Sequence, residues 1–138
     1  EEIYEVRSAL ESLAVAQATR RMNALGRAQL DEVAEAMRVR LEAEDPVGYT
    51  EALDRFYAAV MSLADNAALY RTHTSLLGPV RRLRRIAMSR PGRMQASYKQ
   101  ALKIKKAMQK GDAEAAAALM REQLAHACAA ARAALEHG

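Results

Sequence analysis

The stretch 98–124, YKQALKIKKAMQKGDAEAAAALMREQL, constrains the fold more than any other part of the chain. Its pattern predicts one helix, a tight break at Lys110-Gly111-Asp112, and a second helix that runs back along the first. Gly111 can adopt the left-handed conformation that ends a helix. Asp112 can then cap the next helix, because its carboxylate accepts from backbone N–H groups that lack an intrahelical partner.

Helical spacing places Ala101 on the inner face of the first of these helices and Gln123 on the inner face of the second. A buried amide without a partner costs ~1–3 kcal/mol, so Gln123 is expected to meet a polar group. The remaining inward positions are apolar: Met94, Ile104, Met108, Ala116, Met120, Ala127 and Ala131.

Composition predicts a single all-α domain over residues 1–138. The length allows one hydrophobic core but not two ordinary domains. Alanine, leucine, methionine, arginine and glutamate favour helices, and β-branched residues are too scarce for a sheet. The single cysteine, Cys128, excludes an internal disulfide and is typical of a reducing compartment, so we expect a cytoplasmic protein.

Three classes of function receive no support from the composition. No apolar run approaches the ~20 residues of a membrane span. The net charge of +4 permits contact with anions but does not by itself indicate nucleic acid. There is no signal-peptide pattern, and the first residue is Glu1 rather than methionine, so we expect a piece of a longer protein.

The first half of the chain predicts three helices. Residues 1–22 form the first, which should end at Asn23 and Gly26, and residues 28–44 and 47–64 form the next two. The inward residues are predicted as Ile3, Val6, Leu10 and Leu13, then Leu30, Val33, Met37 and Leu41, then Tyr49, Leu53, Phe56, Tyr57 and Val60.

A longer helix is predicted from residue 67 to residue 88, after a turn and cap at Asp65-Asn66. Pro79 removes a backbone donor and should kink or break this helix near Thr74 and Ser75. Its inward side carries His73, which we interpret as a core histidine with a hydrogen-bond partner.

No catalytic or metal-binding set emerges from the sequence. Glu122 and His126 are four residues apart, but a metal site in a bundle needs such motifs on facing helices. Phosphate-binding glycine loops and nucleophile–histidine sets are also missing, so we expect no enzyme.

Two arginines border predicted inner faces. Arg84 lies one turn after Val80, and Arg7 follows Val6. A partly buried arginine needs an anion. That anion could be a structural glutamate or the carboxylate of a bound ligand, and the sequence leaves both open.

Four stretches together resemble one family over nearly the whole chain. They are EIYEVRSALESLAVAQATRR, LDRFYAAVMSLADNAAL, SRPGR and AMQKGDAEAAAALMREQL. The family is the FadR C-terminal (FCD) domain, which is the ligand-sensing and dimerising half of many GntR-family bacterial transcription regulators. The resemblance implies an antiparallel all-α bundle of six to seven helices around a central cavity that binds a small organic acid. It also implies a homodimer that contacts DNA only through N-terminal winged helices, expected upstream of Glu1.

Many members of this family hold a metal with one Asp and three His. The matching positions here are Leu53, Tyr57, Ala101 and Gln123, while Asp54 is one residue off and should point elsewhere. The resemblance therefore implies a cavity without a metal or other cofactor.

We expect the effector to be bound by Arg7, Tyr57, Arg84, Ala101 and Gln123. The two arginines would meet its carboxylate, and Tyr57 and Gln123 would supply neutral hydrogen bonds. The alternative is a purely structural dimerisation module whose cavity is filled by side chains.

Overall fold

The computed structural model describes residues 1–137 and contains seven helices in that range, without a strand. They are α1 (Glu2–Arg20), α2 (Ala24–Glu42), α3 (Pro46–Ala64), α4 (Ala67–Thr74), α5 (Leu77–Met88), α6 (Arg93–Gln109) and α7 (Ala113–His137). The prediction of an all-α bundle of six to seven helices is confirmed. No helix in the described range has the length and the apolar character that crossing a membrane demands.

Helix α1 packs most extensively on α7 and also contacts α3, α4 and α6, while its opposite face is exposed. An ion pair between Glu1 and Arg132 joins the start of α1 to the last part of α7, so the two helices run antiparallel. Most of the hydrophobic core comes from the inner faces of α1, α3, α6 and α7.

The turn between α6 and α7 has the predicted chemistry. Gly111 adopts a φ of +80°, and its N–H donates to the carbonyl of Met108. The N–H of Asp112 donates to the carbonyl of Ala107, which completes a Schellman ending of α6. The side chain of Asp112 accepts from the N–H of Ala115 at 3.1 Å and caps α7.

The predicted break near Thr74 and Ser75 is also confirmed, because α4 ends at Thr74 and α5 begins at Leu77. Pro79 then occupies the first turn of α5, where its missing N–H would have had no intrahelical partner. The side chain of Asn66 caps α4 by accepting from the N–H of Leu69. After this break the two helices have different neighbours: α4 packs on α1 and α3, and α5 packs on α3, α6 and α7.

The predicted inner face of α1 is wrong. Val6 and Leu13 are each 46% exposed, and Ile3 and Leu10 are only partly buried. The buried face instead carries a charged pair, Arg7 and Glu11, followed by Ser12, Ala14, Val15 and Ala18. The apolar stripe misled because two opposite charges four residues apart neutralise each other and can be buried together.

The start of α2 also differs from the prediction. Asn23 does not end α1 but caps α2, since its side chain accepts from the N–H of Gly26 at 2.8 Å. Gly26 lies inside α2, where an added Cβ would come within 2.5 Å of Leu63 Cδ2. Close packing on α3, rather than a helix end, explains this glycine.

Replacing Gly111 with alanine should destabilise the domain by about 1 kcal/mol or more, because alanine disfavours a positive φ. Gly78→Ala is the control, since Gly78 lies in the first turn of α5 and a Cβ there meets nothing within 4 Å. That control should be neutral or slightly stabilising. Urea unfolding of the two variants measures both effects, and equal stabilities would contradict the role of the turn.

Candidate functional site

A small cavity lies among α1, α3, α5, α6 and α7. Four of the five predicted ligand residues line it: Arg7, Tyr57, Arg84 and Gln123. Its volume is about 20 Å³, measured as the space open to the centre of a water-sized sphere. That space corresponds to about one water molecule. In this conformation side chains therefore fill most of the centre of the bundle.

The fifth predicted residue, Ala101, lies elsewhere. It is 3% exposed and belongs to the hydrophobic core, but it does not line the cavity. The residue of α6 that does line it is Ser97, one turn earlier. Ser97 accepts a hydrogen bond from the hydroxyl of Tyr49 at 2.9 Å. Core residues pack around the small side chain of Ala101, so it adds no space to the cavity.

The anion that meets Arg7 is a structural glutamate, Glu11, which is one of the two possibilities that the sequence left open. Arg7 Nη2 donates to Glu11 Oε1 at 3.2 Å, and Arg7 Nε lies 3.0 Å from Glu11 Oε2. His73 Nε2 lies 3.2 Å from the same Oε1, which matches the prediction of a core histidine with a partner. Arg7, Glu11 and His73 are 2%, 0% and 4% exposed. The spacing of Arg7 and Glu11, four residues on one helix, was the signal that could have revealed the pair.

The protonation states in this network follow from burial and charge. Burial alone would raise the pKa of Glu11, but the charge of Arg7 and the hydrogen bond from His73 outweigh it, so the pKa is lowered. Burial, and then the charge of Glu11, raise the pKa of Tyr57. Glu11 is thus an anion and Tyr57 a neutral phenol at neutral pH.

Arg84 is likewise paired within the chain. Its Nη1 donates to Asp54 Oδ1, and Arg81 Nε donates to Asp54 Oδ2 at 3.1 Å. The guanidinium carbon of Arg84 lies 4.7 Å from the centroid of the Tyr57 ring, a cation–π contact. Asp54 points away from the cavity as expected, yet it supplies the anion for a residue that lines the cavity.

Gln123 meets the polar partner that its position demanded. Its Nε2 donates to the hydroxyl of Tyr57, which bridges α7 and α3. Its Oε1 is buried and accepts no hydrogen bond from residues 1–137. One acceptor at the cavity is therefore open to a donor from outside the chain.

Arg93, at the start of α6, lines the cavity but was not among the residues predicted for the site. It is partly buried, makes no ion pair with residues 1–137, and has an unpaired Nε. Burial lowers its pKa, as expected of a guanidinium that lacks a carboxylate partner. One feature of the sequence singled out Arg93: it is the last residue of SRPGR, one of the four stretches that carry the family resemblance.

The cavity has an excess of positive charge. Three guanidinium groups line it, from Arg7, Arg84 and Arg93. Glu11 pairs with Arg7 and Asp54 pairs with Arg84, which leaves the charge of Arg93 without a carboxylate. Three buried donors, Arg7 Nε, Arg84 Nη2 and Arg93 Nε, have no hydrogen-bond partner within the described chain, although Arg7 Nε lies 3.0 Å from a carboxylate oxygen of Glu11. A small anion would satisfy both the charge and the donors.

The cavity residues do not suit a metal. Within residues 1–137 no three His, Cys, Asp or Glu side chains come together as a ligand set. His126, one of the two residues first weighed as ligands, has its Nδ1 3.2 Å from Gln100 Nε2. That the cavity functions without a metal stays a prediction.

Comparison with known families identifies the domain. Residues 2–126 match the model of the FCD domain family. The chain belongs to the FCD family. No curated protein matches it. FCD domains are the effector-binding C-terminal domains of GntR-family transcription regulators, so the suspected resemblance is confirmed and the regulatory class follows from it.

Replacing Glu11 with glutamine should destabilise the FCD domain by about 3–5 kcal/mol at neutral pH, because Arg7 would be left as a buried charge without a partner. The lowered pKa of Glu11 contributes stability that is complete above its ordinary value of 4.5 and is lost as the pH falls through the lower folded-state value.

Urea unfolding between pH 3 and pH 7 should therefore show the difference between wild type and Glu11→Gln shrinking below pH 4.5. Glu51→Gln, at an exposed site on α3, is the matched control and should follow the wild-type curve. A constant difference across this range would mean that the pKa of Glu11 is the same in the folded and the unfolded domain, so that Arg7 does not hold it low.

Proposed function

We propose that this FCD domain senses a small organic acid and passes the signal to an N-terminal winged-helix DNA-binding domain of a bacterial, cytoplasmic regulator. The carboxylate would bind in the central cavity without a metal. The observation that carries the proposal is the buried positive excess at that cavity, where Arg93 has no carboxylate partner and Arg84 has an unpaired donor.

Each polar residue of the cavity would then have a defined task. Arg93 supplies the charge that the effector neutralises, because Arg7 and Arg84 already have internal anions. Gln123 Oε1 accepts from a hydroxyl or a protonated group of the effector. Neutral Tyr57 orients Gln123 and contributes its ring face to the cations.

The small volume makes binding a conformational event. A cavity of about 20 Å³ admits about one water molecule, whereas even a two-carbon acid needs more room. The effector must therefore push helices or side chains apart, and this change would alter the placement of the attached DNA-binding domains. No convergent nucleophile and base accompany the cavity, which supports sensing rather than catalysis.

The same small volume favours a second candidate. If the side chains that now fill the cavity never part, the domain is a structural dimerisation module. A thermal-shift screen separates the two candidates, because only a ligand that binds the native state raises its melting temperature.

Acetate, lactate, succinate and citrate are the first compounds to test, each at neutral pH and constant ionic strength. At least one should raise the melting temperature, and calorimetry should show that Arg93→Gln weakens its binding by about tenfold to 150-fold, the equivalent of ~1.5–3 kcal/mol for a charge-assisted hydrogen bond.

Arg85→Gln provides the control, since Arg85 is exposed on α5 and lies outside the cavity. Its affinity should match that of wild type. Equal losses in both variants would point to general electrostatics. An acid that binds Arg93→Gln as tightly as wild type would remove Arg93 from the site.

We further propose that the domain forms a homodimer through the outer face of α1. Val6 and Leu13 lie two helical turns apart on that face, and each is 46% exposed. Exposed apolar side chains aligned along one helix are typical of an interface.

Sedimentation at micromolar concentration should give twice the mass of one chain, and Val6→Glu/Leu13→Glu should give the mass of a single chain, because charges are disfavoured at an interface core. Leu25→Glu is the control, since Leu25 is 68% exposed on α2 and should not affect assembly. A dimeric double variant would place the interface elsewhere.

A further inference from the structure

A second hollow lies on the other side of Tyr57 and Arg84, between α3, α4 and α5. Its volume is about 220 Å³ on the same measure, roughly ten times that of the central cavity. Tyr57 and Arg84 line both spaces and form the wall between them. We call this hollow the outer groove.

The outer groove has a charged end and an apolar end. Asp54 on α3 pairs with Arg81 and Arg84 on α5, which fixes the charged end. Met61 and Leu77 line the groove seven residues further along α3 and seven residues back along α5. Seven helical residues span about 10 Å, so the apolar end lies about that far from the ion pairs.

Of the two residues that form the wall, Arg84 carries the charge, and one of its donor groups makes no hydrogen bond. It is 7% exposed, and its Nη2 has no hydrogen-bond partner within residues 1–137. Its single carboxylate partner, Asp54, is shared with Arg81. Two cations and one anion leave the charged end of the groove with a net positive charge.

Asp54 can release Arg84 without becoming an unpaired anion. Its Oδ2 stays on Arg81 Nε, and both of those side chains reach solvent, with exposures of 22% and 49%. Arg84 is buried and cannot turn to water, so it requires a replacement carboxylate. A ligand carboxylate that enters the groove can take that place.

We propose that the outer groove binds a small aliphatic monocarboxylate, whose carboxylate replaces Asp54 on Arg84 and whose apolar chain lies along Met61 and Leu77. The proposal rests on the function proposed above and adds a second acid site, whose moving wall is shared with the central cavity. Asp54 acts as an internal competitor, and Arg81 holds it while the acid is bound. Movement of Arg84 away from Asp54 loosens the link between α3 and α5 and carries the signal into the bundle.

Calorimetry with hexanoate tests the competition, with 1-hexanol as the probe that lacks the carboxylate. Asp54→Asn removes the competitor and should bind hexanoate about tenfold more tightly than wild type, on the scale of one charge-assisted hydrogen bond. Glu32→Gln is the control, because it breaks an exposed ion pair, with Arg55, and should leave the affinity unchanged. Weaker or equal binding by Asp54→Asn would overturn the proposal, and so would equal affinities for hexanoate and 1-hexanol.

Two further variants locate the ligand. Ala58 is exposed and lines the outer groove but not the central cavity, whereas Ala127 lines the central cavity but not the outer groove. Ala58→Phe should abolish hexanoate binding, and Ala127→Leu should preserve it. Thr74→Phe blocks the same groove from α4 and gives an independent reading if Ala58→Phe does not fold.

The opposite pattern, with loss only in Ala127→Leu, would place the acid in the central cavity, overturning the groove while supporting the proposed function. If neither wild type nor Asp54→Asn binds hexanoate at millimolar concentration, the groove proposal is wrong. The panel of small acids then decides the proposed function independently.

Discussion

The bundle depends on an ion pair that is buried on the inner face of α1. Arg7 and Glu11 are 2% and 0% exposed, and α1 carries them into contact with α3, α4 and α7. Removing two charges from water is costly, so the pair is tolerated only because each charge meets the other and His73 Nε2 adds a contact to Glu11 Oε1. The inner face of α1 therefore brings charged side chains to a cavity that the hydrophobic core surrounds.

The second ion pair, Arg84 with Asp54, differs from the first in a way that matters for function. Arg7 and Glu11 lie on one helix, so their separation is constant whatever the helices do. Arg84 and Asp54 lie on α5 and α3, and their contact exists only while those helices keep their present distance. The intrahelical pair therefore suits a structural role, while the interhelical pair can report movement between helices.

The filled cavity need not argue against sensing. A preformed, empty site would bind a ligand with little structural consequence, because the two states would have nearly the same contacts. A site that must open couples affinity to the separation of helices, and the free energy of opening lowers the apparent affinity. Unpaired groups would reduce that cost, since Arg93 Nε would gain a partner from the carboxylate of the effector and Gln123 Oε1 from a hydroxyl that donates to it.

Local chemistry in the sequence determined the helices, the turn at Gly111, the break before Pro79 and the inward position of Gln123, because capping, φ preference and periodicity act over a few residues. Tertiary structure alone decided that Val6 faces outward while Arg7 is buried, that Ser97 rather than Ala101 reaches the cavity, and that Asp54 serves Arg84. Periodicity assigns faces by polarity, so it placed the charged Arg7 at the border of the inner face rather than on it. Its counter-charge, Glu11, lies on the same helix, but which face of α1 is buried depends on how the other helices pack against it. The pairing of Asp54 with Arg84 depends on the placement of α3 and α5, which no local pattern contains.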